Sequence, residues 1–150
     1  MPRTTSRPPG DSQEQREAEE VIIRALSVEL GVPLVPTRLP LTEGSYLEID
    51  GVSKRPAILC EAWAHLGAPK GGQRQKVMMD AFKLAFAAQH WGRRRPRLLL
   101  AFADDAAAKP FRGRSWMAHA LSAFSITIHV VNLPSGLREK VAAAQRRQHR

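Results

Sequence analysis

Ala18, Val21, Ile22, Ala25, Leu26 and Leu30 recur at intervals of three and four between Gln15 and Leu30, the spacing of one buried helix face. Gly31 and Pro33 end the run, and Asp11 or Ser12 stands where an N-cap is wanted. The following VPLVPTRLPLTEG is punctuated by prolines, which remove ladder donors and argue against a central strand. Beyond it the period drops to two. Residues 45–50 put Tyr46, Glu48 and Asp50 on one face and Leu47 and Ile49 on the other, as a strand does. Residues 57–65 alternate between Leu59, Glu61, Trp63 and His65 on one side and Ile58, Cys60, Ala62 and Ala64 on the other. Both faces are largely apolar, which predicts a central strand covered by helices.

A long helix is predicted from Gly72 to His90, its apolar side formed by Val77, Met78, Ala81, Phe82, Ala85 and Ala88. Gln73, Lys76, Asp80 and Lys83 make one polar stripe along it. The segment GRRRPR separates this helix from a strand at Leu98–Ala103. Asp104 to Gly113 reads as a loop with a short helical turn, and Ser115 can cap a helix reaching Ala123. A strand at Ile126–Leu133 and a last helix starting at Pro134 complete the pattern. This order predicts an α/β fold, a three-layer sandwich with a central mixed sheet. The proline-, serine- and arginine-rich residues 1–14 are expected to be a disordered tail and residues 15–150 a single domain.

Composition narrows the partners. A chain of 150 residues, 43% hydrophobic, can bury a core without disulfides or metal. Its formal charge of +9 favours nucleic acid, acidic lipid or another polyanion as partner, and charge alone does not choose among them. The one cysteine, Cys60, rules out an internal disulfide and a paired-cysteine zinc site. The sequence shows no apolar run of membrane-spanning length and no signal-peptide core, so a cytoplasmic location without membrane partners is expected.

Asp50 and Glu61 carry the candidate chemistry. Ten residues separate them, and antiparallel neighbours joined by a short turn bring such a pair to one sheet edge, where they can share a divalent cation. Glu61 lies in an apolar run, where a carboxylate needs a cation or strong hydrogen bonds. Plainer explanations exist for both: Asp50-Gly51 is a preferred hairpin dipeptide, and Glu61 can pair with Lys70 or Lys76.

The first helix, the hairpin bearing Asp50 and Glu61, and the following helix with Gln73, Gln75 and Lys76 resemble the PD-(D/E)XK restriction-endonuclease-like superfamily over roughly residues 15–103. The resemblance implies that Asp50 and Glu61, with the Ala62 carbonyl, hold Mg²⁺ or Mn²⁺. It also implies that Gln73 and Gln75 face the site, and that the product is a cut phosphodiester. The superfamily places a lysine two residues after the glutamate, where this chain has Trp63. Some members supply that lysine from the neighbouring helix, which makes Lys76 the first candidate and Lys70 the second. Glu48 and Glu20 are candidate outer ligands. The fragment EAWAHLGAPKGGQ also resembles a recurrent bacterial family, which adds no chemistry.

Basic residues gather at Arg93, Arg94, Arg95 and Arg97, at Lys109, Arg112 and Arg114, and at Arg146, Arg147 and Arg150. Counterion release by such clusters gives salt-dependent affinity for DNA or RNA, with DNA the first expectation. Lys70, Gln73, Gln75, Arg93, Arg94, Arg95, Arg112 and Arg114 are the expected nucleic-acid contacts. The expected function is a metal-dependent nuclease. An inactive nuclease-fold binding protein and a scaffold subunit stay open as alternatives, as does assembly into a homodimer or with a partner subunit.

Overall fold

The doubly apolar strand takes the middle of the sheet, as its alternation requires. In the computed structural model, which describes residues 13–148, β1 (Val35–Pro40), β2 (Tyr46–Lys54), β3 (Ala57–Trp63), β4 (Arg97–Phe102) and β5 (Ile126–Val130) form one five-stranded sheet in that order. β2 runs antiparallel to both of its neighbours, β1 and β3, whereas β3, β4 and β5 are parallel. Parallel neighbours need crossovers. α2 (Gly71–Gln89) makes the first, and α3 (Asp105–Ala108) with α4 (Trp116–Ala123) makes the second.

Alternation then sorts the core into two layers. Cys60, Ala62, Leu99 and Ala101 pack with Val21, Ile22 and Leu26 of α1 (Gln13–Leu30) and Val141 of α5 (Ser135–Gln148). Leu59, Trp63, Leu98, Leu100 and Phe102 pack on the other side with Val77, Ala81 and Leu84 of α2. The result is a mixed sheet flanked by helices, compatible with a three-layer sandwich. Among the described residues no helix is long and apolar enough to cross a membrane. The expected tail lies almost wholly outside the described residues, as do the proposed caps Asp11 and Ser12, while Gln13 and Glu14 already belong to α1.

Three expectations are corrected. The proline-rich connector contributes a fifth strand, β1, with Pro36 and Pro40 tolerated because it lies at the edge. Asp50-Gly51 is no turn: β2 continues to Lys54 and the chain reverses at Arg55-Pro56. α2 is rotated relative to the predicted apolar side. Val77, Ala81, Leu84 and Ala87 are its buried residues, while Phe82 is 72% exposed. Apolar residues occur on more than one side of α2, so periodicity alone did not determine which row meets the sheet.

α1 crosses β2 closely at Gly51. A Cβ there meets Ile23 Cδ1 at 3.1 Å and Leu34 Cβ at 3.2 Å. Gly51→Ala is therefore expected to lower stability by about 1–3 kcal/mol, the cost of overpacking a filled contact. Urea unfolding checks this, and an unchanged midpoint would show that α1 can shift freely.

Candidate active site at the split between the second and third strands

The β2–β3 ladder pairs Lys54 with Ala57 and continues to Gly51 opposite Cys60. One step further stand Asp50 and Glu61, and there side chains stand in for backbone pairing. The Ala62 N–H donates to Asp50 Oδ2 at 2.9 Å, and the Asp50 N–H donates to Glu61 Oε2 at 3.3 Å. Each carboxylate thus caps the opposite strand, which fixes both against each other at the point where the strands part.

Glu61 is only 2% exposed, and the side chains nearest it on its strand face are Leu59 and Trp63. A charge placed there needs a partner. α2 supplies one, since Lys83 Nζ forms an ion pair with Glu61 Oε1. Asp80 and Lys76 lie three and seven residues earlier in α2, on the same side of the helix. Together with Asp50, Glu61, Ala62 and Trp63 from the strands and Gln15 and Glu19 from α1, these α2 residues line a pocket of about 290 Å³.

The electrostatics follow from crowding. Burial and the adjoining Asp50 push the Glu61 carboxyl well above its usual range, against the pull of Lys83. Burial and the charge of Asp50 push Asp80 up to about 6, although Lys83 and Lys76 oppose the rise. Burial alone would pull Lys83 down, but Glu61, Asp80 and Asp50 more than offset it, so its ammonium is held above the ordinary value. Raised carboxyl values mean that the folded state binds protons more tightly than the unfolded chain. Without divalent cation, stability is expected to increase as pH falls from about 7 through the Asp80 value of about 6. Thermal melts between pH 7.5 and 5 check this, and a flat profile would remove the crowded-carboxylate description.

The structure brings together four residues singled out in the sequence, Asp50, Glu61, Ala62 and Lys76. It places others elsewhere. Lys70 is exposed at the start of α2, where its N–H donates to Gln73 Oε1 at 2.9 Å, so Gln73 caps the helix. Gln75 lines a neighbouring groove. Glu48 pairs with Arg38 at 3.2 Å, and Glu48 and Glu20 line an adjoining cleft between α1 and β1–β2 that shares Asp50 and Glu19 with the pocket but not Glu61. None of Arg93, Arg94, Arg95, Arg112 or Arg114 lines the pocket. Arg95 donates to the Phe124 carbonyl, and Arg112 lies 3.5 Å from Asp105. Lys83, Asp80, Glu19 and Gln15 join the site without having been singled out. Lys83 and Asp80 did lie on the predicted polar stripe, and their shared row with Lys76 was the available signal.

Among the described residues no group of three or more His, Cys, Asp or Glu side chains is arranged to hold a metal ion. Mg²⁺ does not need one, because it keeps several waters and binds through one or two carboxylates plus substrate phosphate. The donor set here is wholly oxygen, as that ion prefers. Asp50 and Glu61 would hold it, with the Ala62 carbonyl, which an extended strand directs to the same side as the N–H bonded to Asp50. Comparison with protein families, with curated proteins and with solved structures gives no match.

Proposed function

We propose that this protein is a metal-dependent phosphodiesterase acting on nucleic acid, of the restriction-endonuclease-like kind, with Lys83 standing in for the lysine absent at position 63. The observation that carries the proposal is a buried Glu61 held between the Asp50 N–H and Lys83 at a strand split, inside a pocket that also contains Asp50 and Lys76. Carboxyls pushed up by burial and by each other, gathered with two lysines in one pocket, are the arrangement in which acid, base and metal chemistry is found.

Under this proposal Asp50, Glu61 and the Ala62 carbonyl bind Mg²⁺ or Mn²⁺, which when bound supplies a water of lowered pKa and positive charge beside the phosphate. Lys83 keeps Glu61 oriented and presents a cation at the pocket wall. Lys76, exposed on the same pocket, is placed to hold a phosphate oxygen. Asp80, titrating at about 6, can exchange a proton near neutral pH.

The test is incubation of labelled single- and double-stranded DNA and RNA with Mg²⁺, Mn²⁺ or EDTA. Cleavage with either ion and none in EDTA is the expected result. Failure to cut any substrate with either ion would overturn the catalytic proposal. The Lys83–Glu61 ion pair favours one second reading, since it balances the buried carboxylate without a metal ion, as a lapsed site that only binds nucleic acid would. In either case binding should weaken steeply between 50 and 200 mM salt, by about 10³-fold or more if six or more phosphates are contacted.

A further inference from the structure

On the outer side of α2 a second row of residues lies one position before the charged row. Lys76, Asp80 and Lys83 face the carboxylates, and Gln75, Met79 and Phe82 follow the same spacing about 100° around the helix. With Trp116 and Met117 of α4 this second row lines an open groove of about 460 Å³. Phe82 is 72% exposed, Trp116 70% and Met79 65%. Scattered exposed apolar residues need no explanation, but three lining one groove make it a candidate binding surface. Met79 lines both the groove and the carboxylate pocket, so the two adjoin.

We propose that this groove binds the unpaired bases of a single-stranded nucleic-acid segment whose phosphates pass the Asp50–Glu61 pocket. The inference rests on the phosphodiesterase function proposed above and specifies the form of its substrate. Charge selects the occupant. Arg74 lies on the groove and no carboxylate lines it. A nucleotide strand carries a charged edge and flat apolar faces side by side; Lys76 and Lys83 stand on the row beside the groove to meet the charged edge, and a cation bound by the carboxylates would offset their charge. Aromatic rings then act as stacking platforms open to any base, and thioethers add soft contacts to the ring edges. Bases inside a duplex are already stacked and cannot reach such a surface. A second copy of the chain fits less well. Eight residues line the groove, against about 20–30 a side in a stable interface, and each copy carries a formal charge of +9.

The test measures binding in EDTA, so that cleavage has no part in it. Fluorescence anisotropy compares a mixed-sequence single strand, its duplex and an abasic strand of equal length, using wild type, Trp116→Ala, Phe82→Ala and, as an exposed aromatic outside the groove, Phe124→Ala. Each groove variant is expected to lose about 5- to 100-fold in affinity for the single strand, the range for losing one stacked base. Duplex binding should change less than about two-fold, and Phe124→Ala should match wild type within the same margin. The abasic strand should bind wild type at least as weakly as the normal strand binds Trp116→Ala. Single-strand affinity unchanged in both groove variants, or equal affinity for the abasic strand, overturns the proposal. So does a wild-type dimer in sedimentation that Trp116→Ala dissolves, which would assign the groove to a second copy. A protein that cuts nothing but shows the expected loss keeps the groove and removes the phosphodiesterase. One that cuts duplex while both groove variants leave single-strand binding intact does the reverse.

Discussion

Lys83→Ala is expected to destabilise the protein by about 3–5 kcal/mol near pH 7.5, the cost of removing one partner of a buried ion pair. Glu61, 2% exposed, would then carry its charge without the ammonium that balances it. Protonation offers an escape, because burial and Asp50 already raise the Glu61 carboxyl. The loss should therefore shrink as pH falls toward 5, and urea titrations at pH 7.5 and 5 measure the difference. A double replacement, Lys83→Met with Glu61→Gln, is expected to recover most of the loss, since a neutral pair of similar volume removes the uncompensated charge. Equal destabilisation by Lys83→Ala at both pH values would mean that its cost is lost packing of the lysine stem rather than lost charge.

Asp50→Asn separates function from folding. The carboxamide oxygen can still accept from the Ala62 N–H, now bonded to Oδ2 at 2.9 Å, so stability should change by no more than about 1 kcal/mol. What disappears is negative charge in the pocket. Under the proposed function, calorimetry with Mn²⁺ should show at least about a ten-fold loss of affinity, and cleavage should drop by about 10²–10³-fold, the scale of removing one electrostatic stabiliser. A variant that cuts at the wild-type rate would take Asp50 out of the chemistry. One that unfolds would show instead that the strand split depends on the charge itself.

The linear pattern alone offers Asp50 for replacement but not Lys83. Period-two alternation identified β3, its central place and its two apolar faces, because a doubly covered strand must be apolar on both sides. The same alternation placed Asp50 and Glu61 on neighbouring strands. Their mutual capping depends on where the ladder stops, and the Asp50-Gly51 dipeptide pointed to a turn that the chain makes at Arg55-Pro56 instead. The prolines at 36 and 40 correctly argued against a central strand, but they could not reveal β1, since an edge strand needs hydrogen bonds on one side only.

The lysine shows the division most clearly. Sequence determined that Lys76, Asp80 and Lys83 share one helix face, because 3.6 residues per turn bring positions three, four and seven apart together. Which lysine reaches Glu61 depends on the height and rotation at which α2 sits on the sheet. Those are set by Val77, Ala81 and Leu84 packing on Leu59, Leu98 and Leu100, contacts between segments distant in the chain. The local pattern determined the elements and the charged row. Long-range packing decided that Lys83 pairs with Glu61 while Lys76 stays at the exposed edge, and it turned Phe82 and Met79 outward to form the groove.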